Sequence, residues 1–302
     1  MVSFFKKKYS LKNNLIHFNI ADQTAKKVIN FYTETPFPNY EDKDDKASIN
    51  FKGEKNIIAS EFKKFIGFNK TVLEVGCGTG QLSIYFAIGT NNKIFGLDAT
   101  LESLNLGRDF ISKNKIENVK FVNADIFDDV FDENVFDFIW TNGVLHHTKN
   151  PKLAFSITSK YLKKDGYMLV GLYNKYGRLR TIVRRFMYKI FGDFIVKILD
   201  PLMRNIKKGN KNQIRAWIRD QYEHPVERLH TFDEVLEWFK ENNIEFINSI
   251  PSCNFDHNQN YTLFEKSSKG SFLSRLFSQV SMIFNNLGSD GGLFVMIGKK
   301  IK

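Results

Sequence analysis

The stretch "VLEVGCGTGQLS", Val72 to Ser83, decides the fold. Its apolar start, within "TVLEV" (71–75), reads as a buried strand, and "QLSIYFAIG" (81–89) reads as the helix that follows. Between them Gly76, Gly78 and Gly80 occupy alternate positions, directly after Glu74. Glycine lets a chain turn sharply and approach a ligand closely, and a helix start offers free N–H groups. A dinucleotide-binding turn spaces its glycines Gly-x-Gly-x-x-Gly. Here the third glycine comes one residue earlier and an acid precedes the first.

Outward from this turn the chain alternates strands and helices, as a parallel α/β sheet requires. "KIFGL" (93–97) is the second strand, with a helix over 101–113; "VKFV" (119–122) and "FDFIWT" (136–141) continue the sheet. "PKLAFSITSKYL" (151–162) opens with proline, which suits a first helical turn, and "GYMLVGLY" (166–173) is the next strand. The alternation then stops until "TFDEVLEWFKENN" (231–243), where Thr231 and Glu234 form a capping-box pattern. "IEFINSI" (244–250) and "GGLFVMIG" (291–298) supply the last strands. Asp98 follows the second strand, Asp125 the third and Asn142 the fourth. Strand ends of this kind share one edge of an open sheet, where such folds bind ligands. A helix N-cap is the competing role for each acid.

These residues identify a resemblance. The series "LEVGCGTG", Asp98, "NADIF" and "FDFIWTNGVLHH" resembles the class I S-adenosylmethionine-dependent methyltransferases over 71–173 and 231–298. The resemblance implies a Rossmann-like α/β fold: an open, mostly parallel seven-stranded sheet with an antiparallel last strand, helices on both faces and helical insertions. It implies S-adenosylmethionine as cofactor. Glu74, Gly76, Gly78 and Gly80 would then hold its methionine portion, Asp98 the ribose, and Asp125 with Ile126 the adenine, with Asn142 close by. It also implies an N-terminal flap or helical extension over 1–70, ahead of a methyltransferase domain over 71–302. That domain has its core in 71–173, 231–250 and 291–298, and substrate-side insertions at 174–230 and 251–290. In "FYTETPFPNYED" (31–42), Phe37 and Tyr40 are the candidates for closing over the cofactor.

Composition narrows the class further. With 42% apolar residues and thirty phenylalanines among 302 residues, the chain can bury a large core. Cys77 and Cys253 are too few and too far apart for a disulfide framework or a four-cysteine metal site. With no apolar run fit for a signal peptide or a membrane span, a cytoplasmic location is expected. The net charge of +11 is mostly lysine, but arginine is localised: eight of the ten lie between 178 and 228.

Inside that arginine-rich region lies "DQYEHPVERLH" (220–230). Pro225 is expected to start a short helix that puts Glu227 and His230 on one face. No second pair accompanies them, so no metal site is assigned. Candidate catalytic or acceptor-binding residues are His224, Glu227 and Arg228 from this stretch, and His146 and His147 just past the fourth strand. A salt-bridged surface helix is the competing reading. Apolar pairs recur every four residues from Ile182 to Leu199, as on one helix whose stripe winds slowly around it, with Arg180, Arg184, Arg185, Lys189 and Lys197 in the intervening positions. A second amphipathic run is "FLSRLFSQVSMIFNNL" (272–287). Segments 178–206 and 272–287 could thus meet a second subunit or a membrane surface. Cysteine-nucleophile and amino-methylase signatures are missing, so the expected reaction is O-methylation of a small or lipid-linked metabolite. RNA modification and a non-catalytic scaffold are the alternatives, and nucleic acid is not favoured for want of a recognition motif.

Overall fold

The computed structural model describes residues 4–12, 15–18, 29–33, 36–200, 215, 218–224, 226–255, 262–284 and 291–302. Nine strands are seen among them: β1 Ser10–Lys12, β2 Leu15–His17, β3 Thr71–Val75, β4 Lys93–Asp98, β5 Val119–Asn123, β6 Phe136–Asn142, β7 Leu162–Tyr173, β8 Ile244–Ile250 and β9 Leu293–Lys300. They form one sheet in the order β1-β2-β5-β4-β3-β6-β7-β9-β8. From β2 to β7 every pairing is parallel, whereas β9 runs antiparallel to both β7 and β8. The expected seven-stranded core is therefore present, with the antiparallel strand one place in from the edge.

The extra pair, β1 and β2, forms a hairpin that covers the β5 edge, pairing Ile16 with Val122 and His17 with Asn123. Phe4 and Phe5 pack beside it against Phe95, Phe131 and Phe136. Covering the edge satisfies backbone groups that would otherwise invite pairing with another chain.

Helices flank both faces: α1 Lys46–Lys55, α2 Ile57–Ile66, α3 Gln81–Ala87, α4 Leu101–Lys113, α5 Pro151–Lys160, α6 Leu179–Phe191, α7 Asp193–Leu199, α8 Phe232–Glu241 and α9 Phe272–Ser281. Strand residues point alternately to the two faces. Leu73, Val75, Ile139 and Val170 share a core with Phe155 of α5 and Phe239 of α8. Val72, Phe138, Trp140 and Leu169 share another with Phe62, Phe86 and Phe110 from α2, α3 and α4. Pro151 sits in the first turn of α5 after the Asn150 cap, and the Thr231–Glu234 capping box closes on α8 as expected.

Three local expectations are corrected. β7 starts at Leu162, four residues earlier than the apolar run suggests. The single helix expected over 182–199 is two, because Gly192 takes a positive φ of 64° between α6 and α7. Residues 226–229 are not helical, so Glu227 and His230 do not share a helix face. Pro225, Arg204, the rest of 201–206 and residues 285–287 lie outside the described residues.

Gly107 of α4 tests how tightly the helix is seated on the sheet. In an open helix, alanine is favoured over glycine by about 1 kcal/mol. Here a Cβ would lie 2.5 Å from the Thr79 carbonyl oxygen and 2.9 Å from the Phe121 ring. Overpacking should reverse the sign, so Gly107→Ala is expected to lose about 1–3 kcal/mol in urea melts.

Candidate active site

β3, β4, β5 and β6 end side by side at one cavity of about 460 Å³. Glu74, Asp98, Asp125 and Asn142 all line it, with Gly76, Gly78 and Ile126. The glycine turn is clamped to β4. The Gly76 and Cys77 N–H groups both donate to the Leu97 carbonyl, at 2.7 and 3.1 Å. The Gly78 N–H donates to Asp98 Oδ2 and the Thr100 N–H to Asp98 Oδ1, each at 2.8 Å. At Gly78, φ is +53° and a Cβ would lie 2.3 Å from the Phe37 carbonyl oxygen. Gly80 has a different purpose, because a Cβ there would strike the Phe121 ring at 2.3 Å; it does not line the cavity.

The N-terminal loop folds onto this turn. Thr79 Oγ1 donates to the Pro38 carbonyl at 2.6 Å, and Gln81 Nε2 to the Asn39 carbonyl at 3.0 Å. Phe37 lines the cavity with Pro38 and Tyr32. Tyr40 does not: its hydroxyl donates to the Thr79 carbonyl at 2.9 Å and its ring stacks on Phe110. Tyr40 thus pins the loop from behind.

Burial sets the charge states. It pushes the Glu74 carboxyl up to about 8, against the Ser83 hydroxyl that donates to Oε2 at 2.5 Å, and nearby Asp98 adds to the rise. Asp98 is raised for the same reason, partly offset by the N–H groups of Thr100 and Gly78. Asp125 also caps the turn Ile126–Asp128, accepting from the Phe127 N–H at 2.9 Å, so capping and cavity-lining coexist in one residue. Burial holds the Cys77 thiol well above its usual range, which keeps it protonated. No group of three or more potential metal ligands occurs among the described residues.

His147 lines the cavity; His146 lies wholly buried behind it. Burial depresses both, His147 to about 4, so both imidazoles are neutral. The network then fixes their tautomers. His147 Nδ1 is 2.7 Å from the Val226 carbonyl, which can only accept, so Nδ1 carries the proton. His147 Nε2 must therefore accept from His146 Nε2, 3.0 Å away. That leaves His146 Nδ1 bare and buried, with no partner. Neither nitrogen of His147 presents a lone pair to the cavity. His224 stacks on the His147 ring with centroids 3.7 Å apart and takes the Val226 N–H on Nδ1.

Glu227 and Arg228 stand away from the cavity lining. Glu227 is gripped by two arginines: Arg178 through Nε and Nη2 at 3.2 and 2.9 Å, and Arg185 through Nη1 and Nη2 at 2.9 and 2.6 Å. Arg178 is 0% exposed and also stacks on Tyr173, a cavity-lining residue at the end of β7. Burial pushes the Glu227 carboxyl up, but the hydrogen bonds and charges of Arg178 and Arg185 outweigh it and hold it below the usual range. Arg228 is exposed, and its backbone N–H donates to the His146 carbonyl. Sequence reasoning missed Tyr173, although the strand-end rule that found Asn142 applies to it equally. It also missed Lys52 and Gly53 of α1, which line the cavity without any motif.

Removing one partner from a buried ion pair strands the other charge, at a cost of about 3–5 kcal/mol. Glu227→Gln is therefore expected to lower stability by about that much at neutral pH, read by urea unfolding. Because its folded pKa is depressed, the Glu227 contribution is present above the ordinary carboxylate range and is lost as pH falls through the lowered value.

A family model described as a methyltransferase domain matches residues 67–246. A ubiquinone biosynthesis O-methyltransferase from Glaesserella parasuis is 27% identical over 156 residues, covering 50% of this chain and 63% of that protein. A demethylmenaquinone methyltransferase from Staphylococcus aureus is 28% identical over 138 residues, covering 45% of this chain and 55% of that protein. The chain thus matches under two thirds of the length of these curated relatives. Two solved structures share the fold. PKMT2 from Rickettsia typhi, in complex with AdoHcy, has TM-score 0.55 and 18% identity, over 77% of this chain and 49% of that one. A geranyl diphosphate C-methyltransferase from Streptomyces coelicolor has TM-score 0.51 and 14% identity, over 93% of this chain and 100% of that one. With the family model spanning more than half of its length and the acid series converging on one cavity, the chain belongs to the class I S-adenosylmethionine-dependent methyltransferases.

Proposed function

We propose that this chain transfers a methyl group from S-adenosylmethionine to a hydroxyl oxygen of a small or lipid-linked metabolite. The observation that carries the donor half is the meeting of Glu74, Asp98, Asp125 and Asn142 at four adjacent strand ends around one cavity. The residues fit the cofactor. Glu74 offers a buried carboxylate to the ammonium of its methionine part, and Gly76, Cys77 and Gly78 line the cavity beside it. Asp98 keeps free lone pairs for ribose hydroxyls beyond the two N–H groups it already accepts. Asp125 and Ile126 flank the place left for adenine. The Asn142 Oδ1 is buried without a protein partner, so a donor group from a ligand would satisfy it.

When bound, S-adenosylmethionine supplies a sulfonium methyl open to in-line displacement. The protein's part is alignment and dryness. Tyr32, Phe37, Tyr173 and Leu293 give the cavity an aromatic and apolar wall suited to a flat or chain-bearing acceptor. His147, with both nitrogens engaged, packs against the acceptor rather than deprotonating it, with His146 and His224 fixing its ring. Acceptors whose hydroxyl ionises readily suit such a site. Relatives named for ubiquinone biosynthesis and for demethylmenaquinone support an acceptor of this size and apolarity. Glu227 and Arg228 act on the architecture around the site, not on the reacting atoms.

The test is calorimetric titration with S-adenosylhomocysteine, followed by acceptor screening with hydroxylated aromatic compounds with and without an alkyl tail. Micromolar binding at one site per chain is expected, with turnover on hydroxylated acceptors; binding without turnover on any of them would reject the acceptor class. Asp98→Asn is expected to weaken S-adenosylhomocysteine by about 1.5–3 kcal/mol, the scale of a lost charge-assisted hydrogen bond. Glu74 adds a pH signature. Its raised pKa means the free protein carries the proton below about 8, and an ammonium ligand displaces it. Affinity should therefore rise with pH by up to about tenfold per unit toward that value and level off above it. Glu74→Gln should flatten the slope.

A further inference from the structure

Two helices of this protein are turned inside out. On α6 the residues directed inward are Arg178 just before its start, Thr181, Arg185 and Tyr188, and those directed outward are Leu179, Ile182, Val183, Phe186 and Ile190. The inward side is fastened by polar contacts. Arg178 and Arg185 hold Glu227, Arg185 Nε donates to the Gln221 carbonyl at 2.6 Å, and Tyr188 donates to Glu223 at 2.6 Å. On α9, Ser274, Arg275, Ser278 and Gln279 face inward. Ser278 donates to the Ser252 carbonyl, Arg275 holds Asp233, and Gln279 bonds Asn174 and the Phe232 N–H. The outward side of α9 and the turn after it carries Phe272, Leu273, Phe277 and Phe284.

An ordinary surface helix does the opposite, burying its apolar stripe. Here Phe186 is 64% exposed, Phe194 of α7 70%, Phe277 61% and Phe284 76%. The two helices adjoin, since Arg180 Nη1 donates to the Ile283 carbonyl at 3.3 Å. An exposed apolar area on this scale marks an interaction surface. Its polar rim is basic: Lys175, Arg180 and Lys189 are exposed, against the single exposed acid Asp193 on α6 and α7. The surface also neighbours the site, because Tyr173 and Leu293 line the cavity while Gly177, just before α6, touches Gly292.

We infer that the outward faces of α6, α7 and α9 form a docking surface for an anionic lipid bilayer. Phenylalanine, leucine and isoleucine enter the acyl boundary while the arginines and lysines meet lipid phosphates. At 13 residues α6 is about 20 Å long. No described helix is long and apolar enough to cross a membrane, so α6 lies in the plane of the interface. Basic rims and an apolar centre match this occupant better than a second copy of the chain, whose own rim would be equally positive. The inference does not depend on the acceptor.

The experiment is flotation of the full chain with vesicles of phosphatidylcholine, with and without phosphatidylglycerol, at low and high salt. The wild-type chain is expected to float with the anionic vesicles and less so at high salt. The double variant Phe186→Glu with Phe277→Glu is expected to reduce the floating fraction about tenfold or more. Both positions are exposed and neither lines the cavity, and S-adenosylhomocysteine titration checks that the variant remains folded and reads the donor site separately. A wild-type chain that stays at the bottom with anionic vesicles overturns the inference, as does flotation unaffected by the double substitution. A dimer by light scattering that the variant makes monomeric, with no flotation, also overturns it by assigning the face to self-association.

Discussion

The Asp98 carboxylate, held between the Gly78 and Thr100 N–H groups, is the contact on which the site's geometry depends. It ties the loop after β3 to the end of β4, and the Leu97 carbonyl doubles the tie through Gly76 and Cys77. Once the turn is fixed, the N-terminal loop has a surface to settle on: the Phe37 carbonyl against Gly78, the Pro38 carbonyl under Thr79, Tyr40 under the Thr79 carbonyl. A carboxylate used this way is costly to bury, and its raised pKa records that cost. The same desolvation is what makes a carboxylate strong toward a ligand's hydroxyls.

The second organising contact is Glu227 between Arg178 and Arg185. Over its described residues 226–229 the crowded stretch around it does not form the helix that would have paired Glu227 with His230. Most of its polar side chains are engaged by the protein: Glu227 by two arginines, Glu223 by Tyr188 and Arg215, and His224 on the His147 ring, while Arg228 stays exposed. Together they fasten α6 by its polar side and stiffen the wall behind Tyr173. A buried ion pair is a poor source of net stability but a good device for orientation, because few alternatives satisfy all of its donors.

What the sequence made legible follows from period and position. Apolar runs at βαβ spacing located every core strand, and the acids were found because parallel strands end on one edge. The β1–β2 hairpin was not legible: two three-residue strands, "SLK" and "LIH", carry too short a pattern to show alternation. Tyr40 and Phe37 could not be separated, since only packing on Phe110 decides that one ring faces away from the cavity. The amphipathic runs at 182–199 and 272–287 were visible, but which side faces the core was not. Periodicity gives two faces; Glu227, Phe232 and Ser252, remote in sequence from the helices they hold, decide which one turns inward.

The histidine cluster has a consequence for the whole molecule's tolerance of acid. Burial lowers the pKa of His146, His147 and His230 in the folded state, against the pull of Glu234 at His230, whereas an unfolded chain would protonate each near its ordinary pKa. Unfolding below about pH 6.5 then takes up protons, and each such histidine tilts the balance by up to about 1.4 kcal/mol per pH unit. Glu74 works in the opposite sense, since its raised pKa makes the folded state the better proton binder between the ordinary carboxylate range and about 8. Asp98, whose carboxyl burial also raises, works with Glu74 against the three imidazoles. The fold's response to mild acid is therefore a contest between imidazoles and carboxyls sealed inside it, not a property of the ion pairs on its surface.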